Sequence, residues 1–234
     1  MADGERRVVL QANRNGYAYT IDAKTGKFLR GTQYVDKLNW SKGLDENGRP
    51  MIDEKYLPMA GGNPNWSCPG VAGGNNASFT YAFDGRHLFV PSIESCTKPE
   101  ISPAEFELGE PYWGGGPGIT QADDGSVYGN LVAIDALTGK ISWRYKDKYP
   151  FFGGALATGG GLVFSGNQEG YALALNADNG KLLWKFQTGS AIRGQPITWE
   201  MNGRQYMAIG SGAGGVVPQF LGTQIGRGAG RERG

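Results

Sequence analysis

One short pattern recurs in this chain at a fixed interval. Residues 132–143 align with residues 173–184, an offset of 41 positions. Each copy alternates apolar and small residues, reaches an Asp or Asn, passes a Gly-Lys pair and ends on a Trp. A weaker copy at residues 19–30 keeps the Asp and the Thr-Gly-Lys run but has Arg30 in place of the Trp. An interval of about 40–45 residues is that of a four-stranded blade, so the repeat predicts an all-β chain that forms a β-propeller.

Each copy of the pattern predicts a β-hairpin. The alternating residues form the first strand, the Gly supplies the positive φ that ends a tight turn, and the second strand begins at the Lys. Because the Trp follows three residues after the Lys, we expect Trp143 and Trp184 to occupy equivalent places in successive sheets and to be largely buried there. The length of the chain divided by the repeat period predicts about four to five blades.

The composition agrees with an all-β chain. There are 40 Gly residues and 12% aromatic residues, and the Gly residues have no three-residue period, which excludes a collagen helix. Lys and Arg number 23 against 22 Asp and Glu, so the net charge does not predict nucleic acid or an anionic membrane as a partner.

No stretch approaches the roughly 20 apolar residues of a membrane span. The N-terminal residues lack the apolar region of a signal peptide.

Two long segments interrupt the strand pattern. Residues 36–66 and 98–127 are rich in Pro, Gly, Asn and Asp, and excursions of this kind are uncommon in compact domains unless they are functional. Residues 222–234 are a low-complexity run that predicts a disordered tail. The propeller portion is therefore predicted to span residues 1–221.

The few cysteine and histidine residues limit the possible chemistry. His87 is the only histidine, so neither a His-based triad nor a multi-His metal site is expected. Cys68 and Cys96 match no metal-ligand spacing, and the spacing alone is compatible both with a disulfide and with two buried thiols.

Together with the repeat, three further segments resemble one known family. Residues 10–19 are similar to a strand that brings a basic residue to the cofactor, and residues 68–76 to a cysteine loop with an Asn eight residues after the Cys. Residues 151–158 are similar to the segment before the penultimate blades. In this order, the segments resemble the pyrroloquinoline quinone (PQQ) dependent alcohol and methanol dehydrogenases, or quinoproteins. The resemblance runs from about residue 5 to about residue 220 and implies the C-terminal part of their propeller.

The resemblance assigns cofactor contacts to four residues. Arg14 would hydrogen-bond the ortho-quinone oxygens, because a guanidinium polarises the carbonyl and stabilises the reduced anion. Asn76 would contact the polar edge of the cofactor. Phe152, followed by Gly153, stands where the family usually has a Trp beside the cofactor, and a Phe keeps the ring but lacks the indole N–H donor.

The resemblance also implies a disulfide and a location for the catalytic base and the metal ligands. Cys68 and Cys96 match a family disulfide, so their Cα atoms are expected within disulfide range. In the family, the catalytic Asp and the ligands of Ca²⁺ or a lanthanide precede the segment of Arg14, so no catalytic or metal-ligating residue is assigned in this chain. We therefore expect this chain to form a propeller that is incomplete at its N-terminal side and inactive alone. The resemblance implies that it is part of an enzyme that oxidises primary alcohols by hydride transfer to PQQ.

The implied partners are a small alcohol substrate and a cytochrome c-type electron acceptor, and the implied compartment is the periplasm. Uncovered sheets at the ends of an incomplete propeller predict self-association. Two other functions remain open. One is a non-catalytic interaction scaffold, since a repeat similar to the hairpin pattern that ends on a Trp also occurs in assembly factors for outer-membrane proteins. The other is a truncated gene product without activity. Arg14, Asn76 and the paired cysteines favour the dehydrogenase over the scaffold.

Overall fold

The structure is built from short β-strands. The computed structural model describes residues 6–70, 80–81, 85–110, 112, 114–115, 120–121 and 127–212. The strands are β1 (Val8–Ala12), β2 (Tyr17–Asp22), β3 (Phe28–Gln33), β4 (Ser41–Leu44), β5 (Pro50–Ile52), β6 (Met59–Ala60), β7 (Thr80–Tyr81), β8 (His87–Pro91), β9 (Cys96–Thr97), β10 (Glu100–Ile101), β11 (Thr120–Gln121), β12 (Gly129–Asp135), β13 (Ile141–Asp147), β14 (Leu156–Ala157), β15 (Leu162–Gly166), β16 (Tyr171–Asn176), β17 (Leu182–Gln187), β18 (Ile197–Met201) and β19 (Arg204–Ala208). A short 3-10 helix, Glu54–Tyr56, lies between β5 and β6. The described part of the chain contains no helix that is long and apolar enough to span a membrane.

In the described part of the chain, four antiparallel sheets follow one another in sequence order. The first sheet has the order β1-β2-β3, the second β13-β12-β8-β7, the third β14-β15-β16-β17 and the fourth β18-β19. Three further two-stranded sheets, β4-β5, β10-β6 and β11-β9, are formed by strands of the two long excursions together with β9, which lies just before the second excursion. The all-β prediction is confirmed, and the sheets formed by the described strands are open rather than closed into a barrel. The predicted tail at residues 222–234 lies outside the described residues.

The antiparallel pairing brings equivalent turns to the same edge of the sheets. The hairpin turns at residues 22–27, 135–140 and 176–181 lie at one edge, which we call the docking edge. The opposite edge, which we call the long-loop edge, carries the β1–β2 and β15–β16 turns. It also carries the connections that follow β3, β8, β13 and β17. Residues far apart in sequence therefore meet at the long-loop edge.

The three docking turns share one hydrogen-bond pattern. In each turn the Gly N–H donates to the carbonyl of the Asp or Asn four residues earlier, at 2.9, 2.7 and 2.9 Å. The side-chain oxygen of that Asp or Asn accepts backbone N–H groups two and three residues ahead. The three Gly residues have φ of +71°, +73° and +70°, a region in which a Cβ is strained. The hairpin prediction is confirmed in all three copies.

Two hydrophobic clusters fill the spaces between the sheets. The first cluster, between the first and second sheets, consists of Ala12, Ala18, Tyr34, Val35, Leu88, Val90, Val132 and Ile134. The second cluster, between the second and third sheets, consists of Phe89, Leu131, Ala133, Trp143, Phe151, Ala155, Val163, Leu173, Leu175 and Ala177. Successive residues of β12 alternate between the two clusters, so the second sheet is covered on both faces. Sheets that cover one another side by side are the packing of propeller blades.

In the first two hairpins, the last residue of the pattern contacts the next sheet. The Trp143 side chain is 8% exposed, and its Nε1 donates a hydrogen bond of 2.8 Å to the carbonyl of Ala177. Arg30 Nη2 donates a hydrogen bond of 3.1 Å to the carbonyl of Ala136. Ala136 is the residue that corresponds to Ala177 one repeat earlier. The guanidinium of the divergent copy therefore makes the same contact as the indole.

The predicted burial of Trp184 is wrong. Trp184 pairs with Ala174 as Trp143 pairs with Ala133, so the two indoles occupy equivalent places as expected. The Trp184 side chain, however, is 45% exposed. Among the described residues, the sheet that follows it is the hairpin β18–β19, which has no docking turn to lie against the indole. The repeat places the Trp, and the neighbouring sheet decides whether it is covered.

Candidate functional site

Arg14 lies in the β1–β2 turn at the long-loop edge, just beyond the strand on which the sequence placed it. The backbone of this turn is held from two sides. The Tyr34 hydroxyl donates to the carbonyl of Asn13 at 2.7 Å, and Trp40 Nε1 donates to the carbonyl of Asn15 at 3.3 Å. The Arg14 side chain itself is exposed. A fixed turn therefore presents a guanidinium at this edge.

A buried carboxyl group, Glu94, lies close to the same turn. Burial raises the pKa of Tyr34, the charge of Glu94 raises it further, and the charge of Arg14 lowers it. Both charged groups therefore act on the Tyr34 hydroxyl. Glu94 is 5% exposed, and its Oε1 accepts hydrogen bonds from Ser92 Oγ at 2.7 Å and from Asn130 Nδ2 at 3.0 Å. Burial raises the pKa of Glu94 above its ordinary value despite these donors.

Asp36 joins this network from the segment that follows β3. Its backbone N–H donates to Glu94 Oε2 at 3.0 Å, and Asn130 Nδ2 also donates to Asp36 Oδ2 at 3.0 Å. Arg144 Nη1 lies 3.4 Å from Asp36 Oδ1 and donates to the carbonyl of Tyr34. The network fastens the segment that supports the Arg14 turn to the second sheet. Spacing in the sequence does not reveal this network, and its one visible signal is an acid, Glu94, three residues after the end of the apolar strand β8.

The disulfide that the resemblance implied is present at the long-loop edge. Cys68 and Cys96 are bonded, with their Cα atoms 4.3 Å apart. The Asn39 side chain supports the bridge, because its Oδ1 accepts from the Cys68 N–H at 2.8 Å and its Nδ2 donates to the carbonyl of Trp66 at 2.8 Å. A bridge that closes a loop of 28 residues contributes about 3–4 kcal/mol in the chain-entropy model.

Ser95, next to the disulfide, carries an unusual polar group. Among the described residues its Oγ is buried and has no hydrogen-bond partner. A buried hydroxyl without a partner costs about 1–3 kcal/mol, so this atom is suited to a polar ligand. Asn76, which the resemblance also assigns to the cofactor, lies outside the described residues.

Phe152 and Gly153 lie in the connection that follows β13. The Phe152 ring is buried, with 4% of its surface exposed. A Cβ on Gly153 would lie 3.0 Å from the carbonyl oxygen of Gly194, so the missing side chain lets this connection approach the one that follows β17. The guanidinium carbon of Arg193 lies 5.9 Å from the centre of the Phe152 ring, within cation–π range.

Apart from Asn76, which is not described, the candidate residues lie at one edge in two groups. Arg14 and the Glu94 network lie where the first sheet meets the second. Phe152, Gly153 and Arg193 lie where the connection from the second to the third sheet meets the connection from the third to the fourth. Guanidinium groups and an unpartnered hydroxyl supply hydrogen-bond donors, and together with an aromatic ring they suit a planar, anionic aromatic ligand. They fit PQQ, whose rings carry quinone oxygens and carboxylates.

The same residues do not fit a metal ion. In the described part of the chain, no group of three or more His, Cys, Asp or Glu side chains could hold one. Asp36 and Glu94 approach one another, but their oxygens are already hydrogen-bonded to Asn130 and Ser92. We therefore derive no chemical step through Ca²⁺ or a lanthanide from this chain.

The sequence matches a known family model over part of its length. Residues 127–207 match the model described as the glucose/ethanol/alcohol dehydrogenase β-propeller domain, whose short name is PQQ. This range includes the second and third docking hairpins and the connection that carries Phe152.

Full-length relatives extend the match to nearly the whole chain. The chain is 38% identical over 224 residues to the quinoprotein alcohol dehydrogenase PedH of Pseudomonas putida, covering 93% of this chain and 38% of that protein. It is 34% identical to the lanthanide-dependent methanol dehydrogenase of Methylorubrum extorquens, covering 91% of this chain and 37% of that protein. A solved europium-containing methanol dehydrogenase superposes with a TM-score of 0.84 and 29% identity, covering 98% of this chain and 42% of that one. The chain thus spans well under half the length of these relatives.

Proposed function

From the premise that this chain belongs to the PQQ-dependent alcohol dehydrogenase family and forms part of its β-propeller, we propose that its long-loop edge is one wall of a PQQ pocket. The complete protein would oxidise primary alcohols by passing hydride to PQQ. The observation that carries this proposal is the exposed Arg14 guanidinium, held on a turn that Tyr34 and Trp40 fix in place.

The side chains of this wall would bind and orient the cofactor. Arg14 would donate hydrogen bonds to the quinone oxygens, where a charged donor stabilises the negative charge that develops on reduction. Phe152 would cover the side of the ring system, and Ser95 Oγ would find in the cofactor the partner that it lacks among the described residues. PQQ, when bound, supplies the hydride acceptor. Asn76 and Gly153 stay assigned to cofactor contact by the family resemblance.

The partners and the compartment follow from the same proposal. A cytochrome c-type protein would take the electrons from the reduced cofactor, and a small primary alcohol would be the substrate. The periplasm would be the compartment, because the Cys68–Cys96 disulfide requires an oxidising environment to persist.

Equilibrium dialysis of purified protein against PQQ tests the proposal directly. We expect the 234-residue chain to bind PQQ. Arg14→Ala should weaken binding by about tenfold or more, because a hydrogen bond to a charged group contributes about 1.5–3 kcal/mol. Arg204→Ala is the matched control, since Arg204 is exposed at the far end of the β18–β19 hairpin. Failure of the unmodified chain to bind PQQ would contradict the proposed function.

Activity is the second arm of the test. The chain alone, supplied with PQQ and Ca²⁺, should show no PQQ-dependent, dye-linked oxidation of ethanol or methanol above the Arg14→Ala level. The reason is that the resemblance assigns cofactor contacts to this chain but no catalytic base. Turnover well above that level would mean that the chain carries a complete site.

A further inference from the structure

We propose that Arg193 is a second anion-binding residue of the cofactor wall and that it binds a carboxylate of PQQ. The inference rests on the proposed function, because it takes the long-loop edge to face the cofactor. Its starting observation is the half-buried Arg193 guanidinium, 5.9 Å from the centre of the buried Phe152 ring.

The backbone that carries Arg193 is fixed by its neighbour. Ile192 is fully buried, and its N–H donates to the carbonyl of Asn167 at 3.0 Å. The carbonyl of Ile192 accepts from Gln168 Nε2 at 3.2 Å. The Ile192 side chain also fills the space above Gly166, where an added Cβ would lie 2.3 Å from its Cγ2. The third sheet therefore sets the position from which the Arg193 side chain starts.

The Phe152 connection is locked to the same segment. Gly153 approaches the carbonyl of Gly194 so closely that a Cβ would lie 3.0 Å from it. One residue further on, Gln195 Nε2 donates to the carbonyl of Ala155 at 3.4 Å. The ring and the guanidinium therefore form one unit at the long-loop edge.

The chemistry of this unit fits a carboxylate beside a flat aromatic ligand. Phe152 has an aromatic ring but no hydrogen-bond donor, whereas a guanidinium such as that of Arg193 carries five N–H donors in a plane. That fork matches the two oxygens of a carboxylate with two parallel hydrogen bonds. Arg14 lies at the junction of the first and second sheets, so the two guanidinium groups would hold different parts of the cofactor, the quinone oxygens and a carboxylate.

Equilibrium dialysis of the purified protein against PQQ tests this assignment. We expect Arg193→Gln to raise the dissociation constant by about tenfold, as for one charge-assisted hydrogen bond. Arg193→Lys should give an intermediate value, because it keeps the charge and loses the planar fork. Arg204→Gln removes the same charge at the far end of the β18–β19 hairpin and should leave the constant unchanged.

The methyl ester of PQQ, in which the carboxylates are neutral, identifies the group that Arg193 binds. With the ester, Arg193→Gln and the unmodified protein should bind equally well. Equal losses with PQQ and with the ester would overturn the carboxylate assignment and leave Arg193 a structural residue. If the unmodified protein binds PQQ and Arg193→Gln binds as tightly, the inference about Arg193 fails alone. If the unmodified protein does not bind PQQ, the proposed function fails and this inference fails with it.

Discussion

Trp143 and Trp184 hold the same place in two successive sheets and have opposite surroundings. Trp143 is covered by the third sheet and bonded to the carbonyl of Ala177. Trp184 stacks on Phe186 of its own strand, with an interplanar angle of 5°, and remains 45% exposed. The comparison shows that the final Trp of a hairpin pattern supplies only one of the two partners in a contact between sheets. The other partner is a turn of the next sheet.

The three docking glycines show which docking turns have a side chain of the preceding sheet packed against them. A Cβ on Gly180 would lie 2.6 Å from a ring carbon of Trp143, and one on Gly139 would lie 2.8 Å from Cδ of Arg30. At Gly26, among the described residues, nothing lies within 4 Å of that position. The middle of the chain thus has both partners of the contact, whereas each end has one partner: a turn at Gly26 and an indole at Trp184.

The largest expected effect separates the two indoles. Trp143→Ala should lower the free energy of unfolding by about 3–5 kcal/mol, because it opens a cavity in the cluster between the second and third sheets. Trp184→Ala should lower it by less than about 1 kcal/mol, because the side chain is half in solvent. Urea unfolding of the two variants measures the difference. Equal losses would show that Trp184 is covered in solution, as self-association of the exposed sheets would cause, and unfolding at several protein concentrations distinguishes that case.

The second prediction makes the same comparison with glycine. Gly180→Ala and Gly26→Ala both place a Cβ at positive φ, near +70°, which costs about 1–2 kcal/mol. Only Gly180→Ala also forces a methyl group into the Trp143 ring, so it should destabilise the chain by about 1–3 kcal/mol more than Gly26→Ala. Thermal and urea unfolding of the two variants measure the gap. If both variants lose the same amount, the indole does not pack on this turn.

The third prediction concerns the copy in which Arg replaces Trp. Arg30→Ala should cost about 1–2 kcal/mol, because it removes a charged donor from the carbonyl of Ala136 and covers less apolar surface than an indole. Arg30→Lys serves as the control, since it keeps the charge without the Nη2 geometry. The loss should lie between those of Trp143→Ala and Trp184→Ala. A loss as small as that of Trp184→Ala would show that the contact of Arg30 with Ala136 does not stabilise the packing of the first sheet on the second.

The sequence predicted the hairpins and their order, because a glycine at positive φ and an Asp that caps a turn act locally. It also placed Trp143 and Trp184 correctly in their strands. It did not predict the exposure of Trp184, because burial depends on which sheet lies against the strand, and no local signal carries that information. The contact of Arg30 with Ala136 escaped prediction for the same reason.

The site was predicted less completely than the fold. The family resemblance gave the Cys68–Cys96 bridge, which the spacing of the cysteines left open. It placed Arg14 on a strand, whereas the structure has it in the turn that follows. Arg193 and Glu94 were not found, since each acquires its neighbours through contacts between different sheets. Residues that lie together only because turns share an edge cannot be grouped from spacing in one sequence.

The smallest expected effect distinguishes the two covered interfaces by their response to pH. The second–third interface is apolar, whereas the first–second interface ends in the buried carboxyl of Glu94. Burial and the nearby charge of Asp36 raise the pKa of Glu94 above its ordinary value of 4.5, against the hydrogen bonds from Ser92 and Asn130. Because the folded-state pKa is the higher one, the contribution of Glu94 to stability is complete below about pH 4.5 and declines as the pH rises through the folded-state pKa.

The unmodified chain should lose free energy of unfolding as the pH rises from about 4.5 to the folded-state pKa of Glu94, and Glu94→Gln should abolish this loss. Urea unfolding of both proteins at a series of pH values measures it, and the difference between their free energies isolates Glu94. Asp135 keeps its lowered pKa in both proteins, because its turn hydrogen bonds are unchanged, so its opposite slope at lower pH cancels. Trp143→Ala, which affects the apolar interface, should shift the stability by the same amount at every pH. A pH-independent difference between Glu94→Gln and the unmodified chain would show that Glu94 titrates alike in the folded and unfolded states, and that the first–second interface is no more polar in its energetics than the second–third.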